Sequence, residues 1–390
     1  MLFKKINAWL HLWLGLVSGI IVVILSVTGC ILVFEQEIKS LLHPWVSIEA
    51  QDSSKVMAPS RIHEKVTAAL PGVDIHSIWY HGLSKAANVE VTGDSLVYVN
   101  PYTGDVIKVT KRERFFKFID AGHRNLWMGR KIGKPVVGWA TFIFFFLLIS
   151  GIILWFPKNL SKSNFNKSFK IKWKAKFKRV NYDLHNVLGF YSLIFALIMA
   201  VTGLVMSFSW FSKSVFWLSG GQVVERKKPA ELAPYPQNAI HLRVDEIWNK
   251  VRKEIAVYNK EDIIIHFPDE PQEAIYACTD MINGNWRDLY FDPNNMSILP
   301  YSRKQVDDRE FAAWLRSANY GLHVGAIGGL TTKILYFLAS LICASLPVTG
   351  FIIWLKKGKK KPKKKLPVSP RDKENQVVIK QQIENQLINS

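Results

Sequence analysis

Cysteine is scarce: the 390 residues hold three, Cys30, Cys278 and Cys343. Two of them lie in long apolar runs and the third stands alone. That leaves no disulfide framework, no Cys-x-x-Cys-His attachment motif and no iron–sulfur ligand set. Other signatures are missing too. No Gly-x-Gly-x-x-Gly follows a strand-like segment, and the chain has neither a P-loop nor a His-Glu-x-x-His motif. Those absences exclude a nicotinamide or flavin domain, an ATPase and a zinc protease of the common types. Acidic residues are lacking from three basic stretches: Lys4–Lys5, the segment Lys158–Arg179 with nine Lys or Arg, and Lys356–Arg371 with nine more. These stretches hold as many positive charges as the whole net charge of +20, so the rest of the chain is close to balanced.

The chain is rich in apolar runs long enough to cross a bilayer, which takes about 20 residues. They cover about 9–34, 135–156, 187–208 and 332–355. The first is long and has no small-residue cleavage site, so it reads as a retained anchor. The basic stretches flank these runs, whereas loops 38–134 and 210–327 carry 14 basic with 9 acidic and 14 basic with 16 acidic residues. By the positive-inside rule both termini and the 157–183 loop are cytoplasmic, and the two long loops lie outside. Basic residues placed flush against spans point to anionic lipid headgroups as their partner, not to nucleic acid.

An internal repeat organises the chain. Residues 7–34 align with 181–208, an offset of 174, with twelve identities in 28 positions, among them Asn7/Asn181, His11/His185, Gly15/Gly189, Thr28/Thr202 and Gly29/Gly203. Twelve matches that include polar and glycine positions exceed what shared hydrophobicity gives. Ser150-Gly151 and Thr349-Gly350 continue the repeat in the second and fourth spans, with His123 and His323 standing 28 and 27 residues before the two glycines. Each half reads as span, outer module, histidine, span. Two spans per half make the repeat parallel, about an axis along the membrane normal. The glycines Gly15, Gly29, Gly189 and Gly203 read as packing positions. In the outer loops, amphipathic helices are expected at 60–70 and 244–255. Strands are expected at 75–81, 88–92, 95–100 and 106–109, then at 262–267, 274–279 and 286–291. The lysine-rich, polar tail beyond Lys356 reads as disordered.

Four histidines sit at the mouths of spans, where ionisable side chains are expensive and usually functional. A lone histidine there is more often an interfacial residue or cap; symmetric pairs at matched spacing favour ligation. His11 and His185 lie near the cytoplasmic ends of equivalent helices and can face each other, while His123 and His323 form the outer pair. Imidazoles facing each other between helices suit a haem, and bis-histidine ligation favours electron transfer over oxygen binding. A zinc or copper site is the rival, weakened by the lack of a nearby Cys or carboxylate. His43 reads as a helix end. His63, His76, His81, His241 and His266 read as surface or packing residues without symmetric partners. Trp79, Tyr80 and Trp286 are candidates for a docking surface or for core packing. Arg124, Arg130 and Lys131 are candidates to hold propionates or to anchor at the interface.

The Asn7–Phe34 segment, the turn Tyr98-Val99-Asn100-Pro101-Tyr102-Thr103-Gly104-Asp105, His123 with Leu126 and Gly129, Asp183-Leu184-His185 and Leu322-His323-Val324-Gly325 resemble the PepSY-associated transmembrane family. The likeness covers about residues 1–357. It implies an iron-regulated membrane protein, similar to inner-membrane ferric-siderophore reductases with two b-type haems. The fold expected is a four-transmembrane-helix bundle with an internal two-fold repeat and two extracytoplasmic α+β modules. Its parts are helix 1 at 1–37, module 1 at 38–121, helix 2 at 122–157, a cytoplasmic basic loop at 158–180, helix 3 at 181–209, module 2 at 210–318, helix 4 at 319–356 and the tail at 357–390. The expected location is the bacterial inner membrane with periplasmic modules. His11, His185, His123 and His323 would be the haem iron ligands, a ferric siderophore the acceptor, and a quinol or cytoplasmic reductase the unidentified electron donor. Two other readings remain open: a non-redox accessory or sensor binding peptides or partner proteins, and a permease. The lack of a mid-membrane acid speaks against the permease.

Overall fold

The computed structural model describes residues 2–93, 95–111, 114–157, 168–221, 232–256, 261–270, 272–302 and 311–356. The expected tail at 357–390 and residues 158–167 of the basic loop lie outside the described residues. In chain order the elements begin with α1 (Leu2–Leu32), α2 (Glu35–Leu42) and α3 (Pro59–Ala69). Strands β1 (Ile75–Tyr80), β2 (Ala87–Val91), β3 (Ser95–Val99) and β4 (Val106–Lys111) follow, then α4 (Arg114–Asn125) and α5 (Gly129–Trp155). The second half has α6 (Phe177–Ser207), α7 (Ser209–Leu218), α8 (Ile240–Lys250), β5 (Ile263–His266), β6 (Ile275–Thr279), β7 (Arg287–Phe291), α9 (Phe311–His323) and α10 (Gly329–Leu355).

Helices α1, α5, α6 and α10 are the four described helices long and apolar enough to span a membrane. At 1.5 Å per residue each is about 40 Å or more, longer than the roughly 30 Å hydrocarbon layer. They form a ring in which α1 and α6, the two repeat-related helices, each pack against both α5 and α10. The pair α1 and α6 therefore face each other across the diagonal. Small residues allow the close approaches: a Cβ on Gly19 would come 3.1 Å from Pro347, and Ser340 on α10 donates to the Ser26 carbonyl at 3.0 Å. The start of α1, the end of α5, the start of α6 and the end of α10 mark one end of the bundle, and the modules mark the other.

Two short helices reach into the bundle at the module end. The spacing of His123 and His323 places them at the starts of spans, but each sits on a helix of its own, α4 or α9, packed on α1 or α6. Leu126 and Trp127 take left-handed φ values of 53° and 58° before α5 begins at Gly129. That reversal explains the difference: a continuous helix would carry His123 away from the bundle instead of back against α1.

The modules are joined more closely than two separate domains. One seven-stranded antiparallel sheet runs β4-β3-β2-β1-β5-β6-β7. Its midpoint is the β1–β5 pairing, with Ser77 opposite His266 and Ile78 opposite Ile265. Alternate residues of β2 and β7 are buried, the period-two pattern of a sheet with one face on a core. Helices α3 and α8 pack together and supply Ile62, Val66, Val244, Ile247 and Trp248 to that core. Ser60 at the start of α3 donates from its backbone to Asp245 on α8 at 2.9 Å. A single core and a single sheet thus span both halves of the repeat.

Candidate functional site

The repeat brings His11 of α1 and His185 of α6 together at the terminal end of the bundle, ring centres 6.4 Å apart and planes at 90°. At the module end His123 and His323 stand 6.2 Å apart at 58°. All four residues singled out from sequence are placed in pairs, and each pair takes one histidine from each half. Thr28, which contacts His123, lies 17 residues along α1 from His11, so the pairs are roughly 25 Å apart along the axis.

Each histidine is held by the same device. His11 Nδ1 lies 2.7 Å from Ser150 Oγ, His185 Nδ1 2.9 Å from Thr349 Oγ1, His123 Nδ1 3.0 Å from Thr28 Oγ1 and His323 Nδ1 2.9 Å from Thr202 Oγ1. The four hydroxyls each donate to a carbonyl of their own helix, for instance Thr28 to Ile24 at 2.6 Å and Thr349 to Ser345 at 3.0 Å. With its hydrogen committed, each oxygen accepts from the imidazole, which fixes the proton on Nδ1 and leaves the Nε2 lone pair free. His123 Nδ1 also donates to the Leu25 carbonyl at 2.9 Å.

A glycine follows each hydroxyl in sequence and makes room for the ring. A Cβ on Gly29 or Gly350 would sit 3.3 Å from the Cε1 of His123 or His185, on Gly203 3.4 Å from that of His323, and on Gly151 3.5 Å from that of His11. Gly29 and Gly203 are therefore more than helix-packing positions: they shape the histidine seats. Gly15 and Gly189 do serve packing, facing Leu147 and Leu346. Asparagines add a second clamp. Asn7 and Asn181, one turn before His11 and His185, donate to the Ser150 and Thr349 carbonyls at 3.2 and 3.0 Å. Asn319, one turn before His323, does the same to Thr202 at 3.2 Å, while Ile119 takes that position before His123. A Ser/Thr-Gly dipeptide standing in each of the four spans, at 28–29, 150–151, 202–203 and 349–350, was the available signal for these residues. Every cradle comes from the same half as its histidine, and the facing imidazole comes from the other half.

The spacing restricts what the pairs can bind. Imidazoles on opposite sides of a first-row metal, with nitrogens about 2 Å from it and ring centres about 1.1 Å further out, have their centres about 6.2 Å apart. Both pairs match that trans arrangement. Tetrahedral zinc needs a bent pair and further protein donors, yet among the described residues no group of three His, Cys, Asp or Glu is placed to hold a metal ion. The donor set instead fits a metal that brings its own equatorial ligands. Between His11 and His185 lies a largely apolar cavity lined by Gly15, Leu16, Phe144, Leu148, Leu346 and Gly350, among others. The local helix supports this geometry: His185 lies in a π-helical turn, Leu184–Leu188, a distortion frequent at functional sites.

Other candidates resolve into structural roles. Tyr80 is buried against Trp248, Trp79 donates to Ser77 at 2.9 Å, and Trp286 donates to Asp288 at 2.8 Å. Arg124 is largely exposed and paired with Asp120 at 3.2 Å. His43 ends α2 and stacks on Trp45 at 4.5 Å. The five module histidines, read from sequence as surface or packing residues without symmetric partners, each meet a residue of the other half. His63 meets His241 at 4.6 Å, His76 meets His266 at 5.1 Å, and His81 lies 3.2 Å from Asp262. Each contact joins one module to the other across the β1–β5 and α3–α8 seam, which sequence could not show because the partners are some 180 residues apart. Burial, with His76 adding to it, pushes the His266 imidazole down to about 4, and burial with His241 lowers His63. Burial tends to raise Asp262, but His81 and Lys85 outweigh it and hold the carboxyl below its ordinary range.

No curated protein matches the chain. A family model described as the PepSY-associated TM region matches residues 8–357, which takes in both histidine pairs and both modules. The chain belongs to the PepSY-associated transmembrane family.

Proposed function

We propose that the protein is a di-haem electron carrier that moves electrons across the bacterial inner membrane and reduces ferric siderophores on the outer side. The observation that carries this reading is the trans spacing of the two histidine pairs, 6.4 and 6.2 Å between ring centres, with every Nδ1 already engaged. When bound, a b-type haem at each pair supplies a reversible one-electron Fe(III)/Fe(II) couple. His11 with His185, and His123 with His323, would hold the two haems, leaving no site on the metal for small ligands. Ser150, Thr349, Thr28 and Thr202 hold the imidazoles in one tautomer and raise their basicity as ligands. Leu148, Ala196, Ala200 and Cys343 form a dry core within the bundle, with Phe144 and Phe145 packed against it.

By the positive-inside rule the basic stretches support cytoplasmic termini, which would put the first pair on the side where a quinol or a cytoplasmic reductase delivers electrons. The second pair lies beneath the outer modules. Family membership supports an iron-related acceptor: a ferric chelate takes one electron, and the ferrous ion leaves the chelator's hard oxygen donors more readily.

The test uses haem-loaded, dithionite-reduced protein, freed of excess reductant and mixed anaerobically with a panel of ferric catecholate and hydroxamate chelates. Reoxidation of the haem bands with matching release of trapped Fe(II) is expected from at least one chelate. If the panel leaves the reduced spectrum unchanged, the reductase reading fails, and a non-redox accessory that binds partners through its outer modules replaces it.

A further inference from the structure

The module seam opens into a cleft of about 580 Å³. Its wall carries three imidazoles, His63, His76 and His241, and three carboxylates, Asp74, Glu90 and Asp269. Among the described residues no Lys or Arg lines it, although the protein carries a net charge of +20. Nitrogen donors beside hard oxygen donors, with no competing cation, form the ligand chemistry of a divalent first-row metal ion.

The imidazole spacing is of a different kind from that in the bundle. Imidazoles on adjacent octahedral positions of one metal have ring centres about 4.5 Å apart, and on tetrahedral positions about 5.1 Å apart, given nitrogen–metal bonds of about 2 Å. The His63–His241 distance is 4.6 Å and the His76–His266 distance is 5.1 Å. Both are cis spacings, in contrast to the trans spacings of the membrane pairs. His241 Nδ1 is buried without a hydrogen-bond partner, so a position on that ring has donor capacity to spare. Asp74, exposed at the start of β1, is close enough for its charge to act on His63.

We infer that the seam cleft binds a divalent first-row transition-metal cation through His63 and His241, with the Asp74 carboxylate as third ligand and water completing the shell. Among the described residues no three donors already converge on one point, so Asp74 swings in as the ion arrives. His63 comes from one module and His241 from the other, so the ion ties the two halves together outside the membrane. The inference does not depend on haem in the bundle.

Untagged full-length protein in detergent, haem-loaded so that the bundle histidines are occupied, is dialysed to equilibrium against micromolar Zn(II), and bound metal is counted by atomic emission. One zinc per chain is expected. The His63→Ala/His241→Ala double variant should lose at least tenfold in affinity, and Asp74→Asn, an exposed substitution that leaves the core intact, severalfold. His81→Ala, on the seam but outside the cleft, should retain the zinc. Edge-to-face stacking also holds rings at these distances. If the wild type retains no zinc, or if both the double variant and Asp74→Asn bind it as tightly as the wild type, packing alone explains the histidines and the inference is overturned.

Discussion

The chain builds paired histidines twice, inside the bundle and at the module seam, and the two sets differ in nearly every physical respect. The bundle pairs stand 6.2 and 6.4 Å apart, with each Nδ1 tied to a hydroxyl that is itself tied to its helix. The seam pairs stand 4.6 and 5.1 Å apart, and three of their four rings, His63, His76 and His241, line an open cleft beside carboxylates. Both sets span the two halves of the repeat, so the symmetry alone does not decide their chemistry. Spacing and surroundings do: a trans-spaced pair with one lone pair per ring suits a planar, self-contained cofactor, and a cis-spaced pair beside a cleft lined by carboxylates suits a hydrated cation.

The largest expected effect separates the two ends of the bundle. His323→Ala should abolish reduction of ferric chelates while leaving the spectrum of the His11–His185 site in place, as measured by anaerobic stopped-flow absorbance. Equal loss at both ends would mean that the pairs do not form independent stations. Next come the cradle hydroxyls. Removing the acceptor with Thr202→Val or Ser150→Ala should weaken haem retention by about 10–100-fold, the usual effect of losing a partner that orients a metal-bound histidine. Competition with an apo-haem acceptor measures it.

At the seam the expected effect is of pH. His266 titrates near 4 in the fold and 6.5 when unfolded, so the unfolded chain takes up the proton first as pH falls. Its contribution to stability is intact above 6.5 and is lost on the way down towards 4. Between about pH 7 and about pH 5 the loss is roughly 2 kcal/mol. Hydrogen exchange of the β1–β5 amides should reveal it, and His266→Asn should flatten the dependence. The smallest effect is steric. Gly350→Ala, where the new Cβ would lie 3.3 Å from His185, should shift the low-spin g values of the terminal-end site more than Gly151→Ala, where the distance is 3.5 Å. Equal shifts would mean that the glycines do not set ring orientation.

Much of this was legible in the sequence because the repeat is local and keeps Asn, His, Ser18/Ser192 and Thr at matching positions. Asn7/Asn181, His11/His185 and Thr28/Thr202 mark equivalent helices, and equivalent helices can face across a bundle. The module helices and strands follow from apolar periodicity. What the sequence hid were contacts between distant segments. The Ser150 seat for His11 is 139 residues away, and the merging of two modules through β1 and β5 needs strand pairing that no local pattern signals. The same gap concealed the seam pairs, whose members look unrelated until the halves are folded together. Gly29 and Gly203 carried their meaning only once a histidine lay against them. The separate helix α4 was missed because the reversal at Leu126 and Trp127 uses left-handed backbone at residues that seldom adopt it, whereas the break after α9 falls at Gly325 and Gly329.

The most direct test is the number of haems held by the purified chain and by two double variants, counted as pyridine haemochromes. Two per wild-type chain, one in His11→Ala/His185→Ala and one in His123→Ala/His323→Ala are predicted, with the remaining centre still six-coordinate and low-spin. No haem in the wild type, or a count that neither variant lowers, would contradict the account.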